Sequence, residues 1–232
     1  MAGPSNRLIS RISGGGGSSA SEVFRKNFGD PVPRIVDISS DPFLQVLFSQ
    51  QGAVERIRKK LSTLSRKKGK IVPAKGIVAS AINAGPETNF EDLVFVGVEF
   101  LEEYHPEEET LAGVLAHEWG HLASEFPNGL NPDELTWDQI FDLRKDEEAA
   151  ADGYAGKMLF LMGYHPKGLI QFLNQPENKK ESLKYHSVET RIAIIQRAFS
   201  EAKRQKEQAE RLVLVPRPVY SNPFTARLIA VV

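Results

Sequence analysis

The chain has 232 residues, 41% of them apolar and 25% charged, with a formal net charge of -1; this is the make-up of one soluble globular domain, with or without extended tails. A charge so near zero gives no global field to draw nucleic acid or anionic lipid. Cysteine is absent, which excludes a disulfide framework and confines any transition-metal site to His, Asp and Glu ligands.

Residues 1–30 contain "GGGGSS" and bury too little surface to offset their ordering entropy, so they read as a flexible leader. Arg7 and Arg11 interrupt its short apolar pairs, which argues against a secretory signal. A basic, Ser-rich, acid-poor start is also compatible with an organelle transit peptide. The folded domain is expected over 31–212. Asp41 before Pro42 supplies a cap and a first helical residue, and "FLQVLFSQQGAVERIRKKLSTL" continues with helical periodicity up to the basic run "RKKGK". That run reads as the solvated end of the helix. From Lys70 to Leu101 the segments "KIVPAKGIVASAINAG" and "DLVFVGV" are Val/Ile-rich and bounded by Gly, Pro and Asn, predicting two or three strands.

"YHPEEETLAGVLAHEWGHLASE" then opens a helix with Pro106 near its start and glutamates in its first turn, where the helix dipole favours anions. "LTWDQIFDLRKDEEAAADGYAGKMLFLMG" predicts a second long helix, with Thr136 and Gln139 at capping-box spacing, Gly163 as its end and a kink or break near Gly153. A short helix after Pro166 and a long one over about 187–212 follow. The apolar, proline-broken segment 213–232 is expected to be extended and to dock, either on an exposed sheet edge or elsewhere on the domain or a second subunit. No stretch reaches the roughly 18 consecutive apolar residues of a membrane span.

Residues four apart on a helix share a face, so His117 and His121 can direct ring nitrogens at one point. Glu118, one residue along, is rotated off that direction and is free to act on a water there as a base. Both histidines fall on the apolar side with Leu111, Val114, Leu115 and Leu122, where unpartnered imidazoles would be costly. A catalytic zinc needs a third protein ligand. Ser124 and Pro127 stand where the metzincin pattern requires Gly and His, so a downstream acid must supply it. In "DEEAAAD", Glu148 and Asp152 are again four apart, flanked by alanines small enough for close helix packing. Glu148 is the expected third ligand, and Asp152 the carboxylate that accepts a ligand histidine's free ring N–H. Asp146 and Glu147 are expected to face solvent.

"LAGVLAHEWGH" followed by "EAAAD" resembles family 48 of the zinc metallopeptidases, gluzincins that include CAAX prenyl proteases. The resemblance extends over about residues 70–200, through "GYHPKGL" and the upstream "AINAG". It implies an α+β fold, a mainly helical zincin-like domain with a small sheet beside the active-site helix. It further implies that Ile82, Asn83 and Ala84 belong to the edge strand on which a peptide substrate adds, making Asn83 and Ala84 substrate-binding residues. His186 in "YHSVETRI" corresponds to the family's oxyanion-stabilising histidine, though the family's following proline is missing and Arg191 lies five residues on rather than six. His105 and His165 each precede a helix-starting proline and read as structural.

The expected function is zinc-dependent endopeptidase hydrolysis of protein or peptide substrates, with zinc acidifying a water and Glu118 taking its proton. A zinc-stabilised binding or chaperone-like module occluded by its own tail is the rival. Glu118 argues against it, because a purely structural site has no use for a base. No nucleic-acid partner and no transmembrane segment are expected, and a cytoplasmic location is the default.

Overall fold

The computed structural model describes residues 32–123, 134–178 and 183–214. The leader over 1–30 and nearly all of the tail over 213–232 lie outside these residues. Among the described residues, seven α-helices and three strands follow in order: α1 (Pro42–Leu47), α2 (Ala53–Ser65), β1 (Lys70–Ala74), β2 (Ala79–Ile82), β3 (Leu93–Gly97), α3 (Val98–Tyr104), α4 (Glu108–Ala123), α5 (Trp137–Met162), α6 (Lys167–Leu173) and α7 (Val188–Leu214). The architecture is α+β and mainly helical, with one small sheet, as expected. Among the described residues no helix is long and apolar enough to cross a membrane.

The expected single helix after Asp41 is two helices. Asp41 does cap the first, accepting from Phe43 N. Its end is drawn off by Ser49, whose hydroxyl donates to the Val46 carbonyl at 2.9 Å, and Gly52 then adopts an extended conformation (φ -65°, ψ 154°) before α2 starts. The apolar rhythm runs through the break because Leu44 and Leu47 of α1 and Val54, Ile57 and Leu61 of α2 enter the same core. The strand reading also ends early: Val98–Tyr104 is helical and buries Val98, Phe100, Leu101 and Tyr104.

The sheet has the order β1-β3-β2, with β1 parallel and β2 antiparallel to β3. All five residues of the central β3 are buried, which explains its unbroken apolar run. Arg34 to Val36 cover the outer side of β1, Val36 N donating to the Pro73 carbonyl at 2.9 Å. At the other end of the order, β2 runs beside α4.

α4 is the centre of the molecule, buried from Thr110 to Leu122 except at Glu118. Glu108 anchors its first turn by accepting from the Tyr164 hydroxyl and from Arg56, both at 2.6 Å. α5 crosses α4 where a Cβ on Gly120 would stand 3.0 Å from Ala151 Cα. That close crossing carries the acids of α5 to the histidines of α4. α5 itself is continuous, capped by the expected Thr136–Gln139 box and ended at Gly163, so the helix is not broken at Gly153. The residue that needs to be glycine is one turn on. A Cβ at Gly156 would lie 2.3 Å from the Ile195 carbonyl oxygen of α7. Gly156→Ala is therefore expected to force α5 and α7 apart and lower the unfolding free energy by about 1–3 kcal/mol, measured by urea denaturation. Gly153→Ala, whose Cβ would meet only Ile194 Cγ2 at 3.7 Å, should be neutral or stabilising.

Candidate metal centre

His117 and His121, one turn apart on α4, meet Glu148 of α5 in the interior, all three buried. The two Nε2 atoms are 3.2 Å apart. Glu148 Oε2 is 3.1 Å from His117 Nε2, and Oε1 is 3.5 Å from His121 Nε2. The three residues form a group able to hold a metal ion, their donor atoms all within 4.8 Å of one another.

The outer side of each imidazole meets a second carboxylate. Asp152 Oδ1 lies 3.0 Å from His117 Nδ1, and Glu147 Oε1 lies 3.4 Å from His121 Nδ1. Carboxylates at both Nδ1 positions favour the tautomer with the proton there, which turns the Nε2 lone pairs inward. Two inward lone pairs and a carboxylate oxygen are three acceptors facing one point. A cation placed among them would satisfy all three.

Charge leads to the same result. Arg144, one turn before Glu148, donates to its Oε1 at 2.6 Å, and Arg191 of α7 grips Asp152 through two bonds of 2.8 and 2.9 Å. The buried carboxylates of Glu147, Glu148 and Asp152 thus face two guanidiniums, leaving an excess of negative charge beside the two imidazoles. The field is visible in the ring nitrogens. Burial opposes a charge on His121, yet Glu148 and Glu147 outweigh it and push its pKa up to about 10. His117 is raised likewise, against burial, by Asp152 and Glu148. Glu148, despite its burial, is held well below the usual carboxylate range by His121, His117 and Arg144. A pocket that favours a proton in this way favours any cation of suitable size.

A cleft of about 1010 Å³ reaches this group at His117 and is lined also by Glu118, Lys145, Tyr185, His186 and Arg191 and by an apolar wall that includes Val114, Leu169 and Phe172. Glu118 is the only partly exposed residue in the middle of α4, because its position turns it from the core toward the cleft. His186, from the segment before α7, is half-buried in the same wall.

The substrate-strand expectation meets a different local geometry. β2 ends at Ile82, so Asn83 and Ala84 lie beyond it, in the turn where Ala84 N donates to Asp92 Oδ1 at 2.9 Å. The sheet side of the cleft is formed at the other end of β2, by Val78 and Ala79. Asn83 Oδ1 is buried without a hydrogen-bond partner, and the structure offers no account of it.

Glu147 corrects the solvent-facing expectation, since it is buried against His121, whereas Asp146 is exposed as expected. Helical spacing could have found Arg144, which is four residues before Glu148. No spacing could have paired Arg191 with Asp152, because that contact depends on how α7 packs across α5. No protein-family model matches the chain and no curated protein matches it, so the site is read from its own geometry.

Proposed function

We propose that this chain is a zinc-dependent metalloendopeptidase of the gluzincin type, acting on protein or peptide substrates. The observation that carries the reading is the convergence of His117, His121 and Glu148 beneath a cleft into which the neighbouring Glu118 projects. Zinc suits the donor set: nitrogens and oxygens about 2.0–2.1 Å from a tetrahedral ion stand roughly 3.3 Å apart, against 3.1 Å from His117 Nε2 to Glu148 Oε2 and 3.2 Å between the two Nε2 atoms here. Two imidazoles and one carboxylate leave a fourth position open, the pattern of a catalytic rather than a structural site.

Bound zinc supplies Lewis acidity, making water a nucleophile near neutral pH and polarising the carbonyl. Everything else falls to the chain. Glu118 takes a proton from the attacking water and returns it to the departing amine. Asp152, held by Arg191, and Glu147 keep the two imidazoles oriented, and Arg144 fixes the carboxylate of Glu148 by occupying Oε1. The cleft is at the upper end of the range for small-molecule pockets, which suits a peptide segment better than a single residue.

Purified protein loaded with zinc is expected to cleave casein, to stop on treatment with chelator and to recover on zinc addition. Cleavage indifferent to chelator, or none at full zinc occupancy, would overturn the proposal.

A further inference from the structure

Hydrolysis of a peptide creates one charge that neither Glu118 nor its proton addresses. As the water oxygen adds to the carbonyl carbon, Glu118 takes the water's proton and the C=O π pair moves onto the carbonyl oxygen. When the tetrahedral centre collapses, that pair re-forms the double bond, the C–N bond breaks, and the amine leaves with the proton from Glu118. In between, the carbonyl oxygen carries negative charge, and a fixed hydrogen-bond donor aimed at it lowers the barrier.

Among the cleft residues, Tyr185 is a neutral donor held by its neighbours. Its ring lies against the Arg191 guanidinium, 5.0 Å from carbon to centroid. Arg191 grips Asp152, and Asp152 faces the ring of His117. Three successive contacts therefore tie the phenol to a ligand of the metal centre. The adjacent His186 shares the cleft wall but not this contact with Arg191. The hydroxyl end of Tyr185 stands in the field of the site: Glu148 is the main obstacle to its ionisation, followed by burial, with Glu118 adding to both. A tyrosine hydroxyl, with an ordinary pKa of about 10, keeps its proton as a donor at neutral pH. Tyr185 is about a third exposed, which leaves it accessible to a substrate in the cleft.

We propose that Tyr185 is a catalytic residue, its hydroxyl donating a hydrogen bond to the scissile carbonyl oxygen as that oxygen becomes an oxyanion. This assigns to Tyr185 the role that resemblance alone gives to His186, and it rests on the zinc peptidase reading above.

The test compares Tyr185→Phe with His186→Gln in the full-length, zinc-loaded protein, using a fluorogenic peptide spanning a casein bond that the wild type cuts. Tyr185→Phe keeps the ring under Arg191 and removes only the donor. It is expected to lower kcat by about 10²–10³-fold with KM within about threefold and zinc content unchanged. Affinity for a phosphinic peptide that mimics the tetrahedral centre should fall by a similar factor, while affinity for the uncleaved parent peptide, measured in the Glu118→Gln background, stays the same. His186→Gln should lose less than tenfold in kcat. A Tyr185→Phe enzyme within threefold of wild-type kcat overturns the proposal, as does an equal loss of affinity for mimic and parent peptide. A large loss in His186→Gln without one in Tyr185→Phe returns the role to His186. Absence of zinc-dependent cleavage in the wild type is a distinct outcome that removes the peptidase reading, and this proposal with it.

Discussion

Glu118→Gln is expected to retain zinc and abolish hydrolysis. The substitution preserves the size of the side chain and touches no metal-binding atom, because the donor set is made by His117, His121 and Glu148. What it removes, on the proposed function, is the carboxylate that would accept and return a proton in the cleft, a contribution typically of ~10²–10⁴-fold. Since Glu118 is partly exposed within an otherwise buried stretch of α4, unfolding free energy should change by no more than about 0.5 kcal/mol. Metal analysis, thermal melting and a casein assay on one preparation decide the matter. Residual activity within a factor of ten of wild type would remove Glu118 from the chemistry.

The second large effect separates two adjacent acids. Glu148→Ala takes away the proposed third ligand and leaves Arg144, previously 2.6 Å from Glu148 Oε1, largely buried beside the cavity without its nearest carboxylate. Breaking such a buried pair costs about 3–5 kcal/mol, and zinc affinity should fall by well over the roughly 100-fold that marks the upper end for supporting residues. Glu147→Ala removes only the carboxylate 3.4 Å from His121 Nδ1, so its zinc affinity should fall by about 10–100-fold. Asp152→Asn belongs with Glu147→Ala, because it too acts on a ring from behind. Competition titration against a chromophoric zinc chelator gives all three affinities. Equal retention of zinc by Glu147→Ala and Glu148→Ala would refute the assignment of the third ligand.

The metal centre was largely legible in the sequence because its parts are local. His117, Glu118 and His121 lie within two turns of one helix, as do Glu148 and Asp152 of another, and helical geometry alone decides which of these share a face. The strand and helix segments followed for similar reasons, from a switch of apolar periodicity between the Val-rich stretches and the long helices, whereas the α+β class was what the family resemblance implied. Where the rule is local but the environment is not, the reading failed. Residue type alone favours solvent for Glu147, since acids are rarely buried without partners, but its partner His121 is on a different helix. The apolar rhythm from Leu44 to Leu61 predicted one helix because two helices sharing a core keep the same rhythm across a break. In the same way Gly156, not Gly153, is the constrained glycine of α5, since the carbonyl that excludes a side chain there belongs to Ile195 of α7.

Residue types and their spacing along single helices thus determined what this protein can bind: two imidazoles and a carboxylate at metal-ligand positions, with a base beside them. Only the tertiary structure decided how that set is charged, oriented and approached. The Arg191–Asp152 grip, the Glu147–His121 contact and the placement of Tyr185 each join segments remote in sequence, and their geometry depends on the packing of α4, α5 and α7. Spacing carries no information about such contacts, because they depend on where whole helices cross.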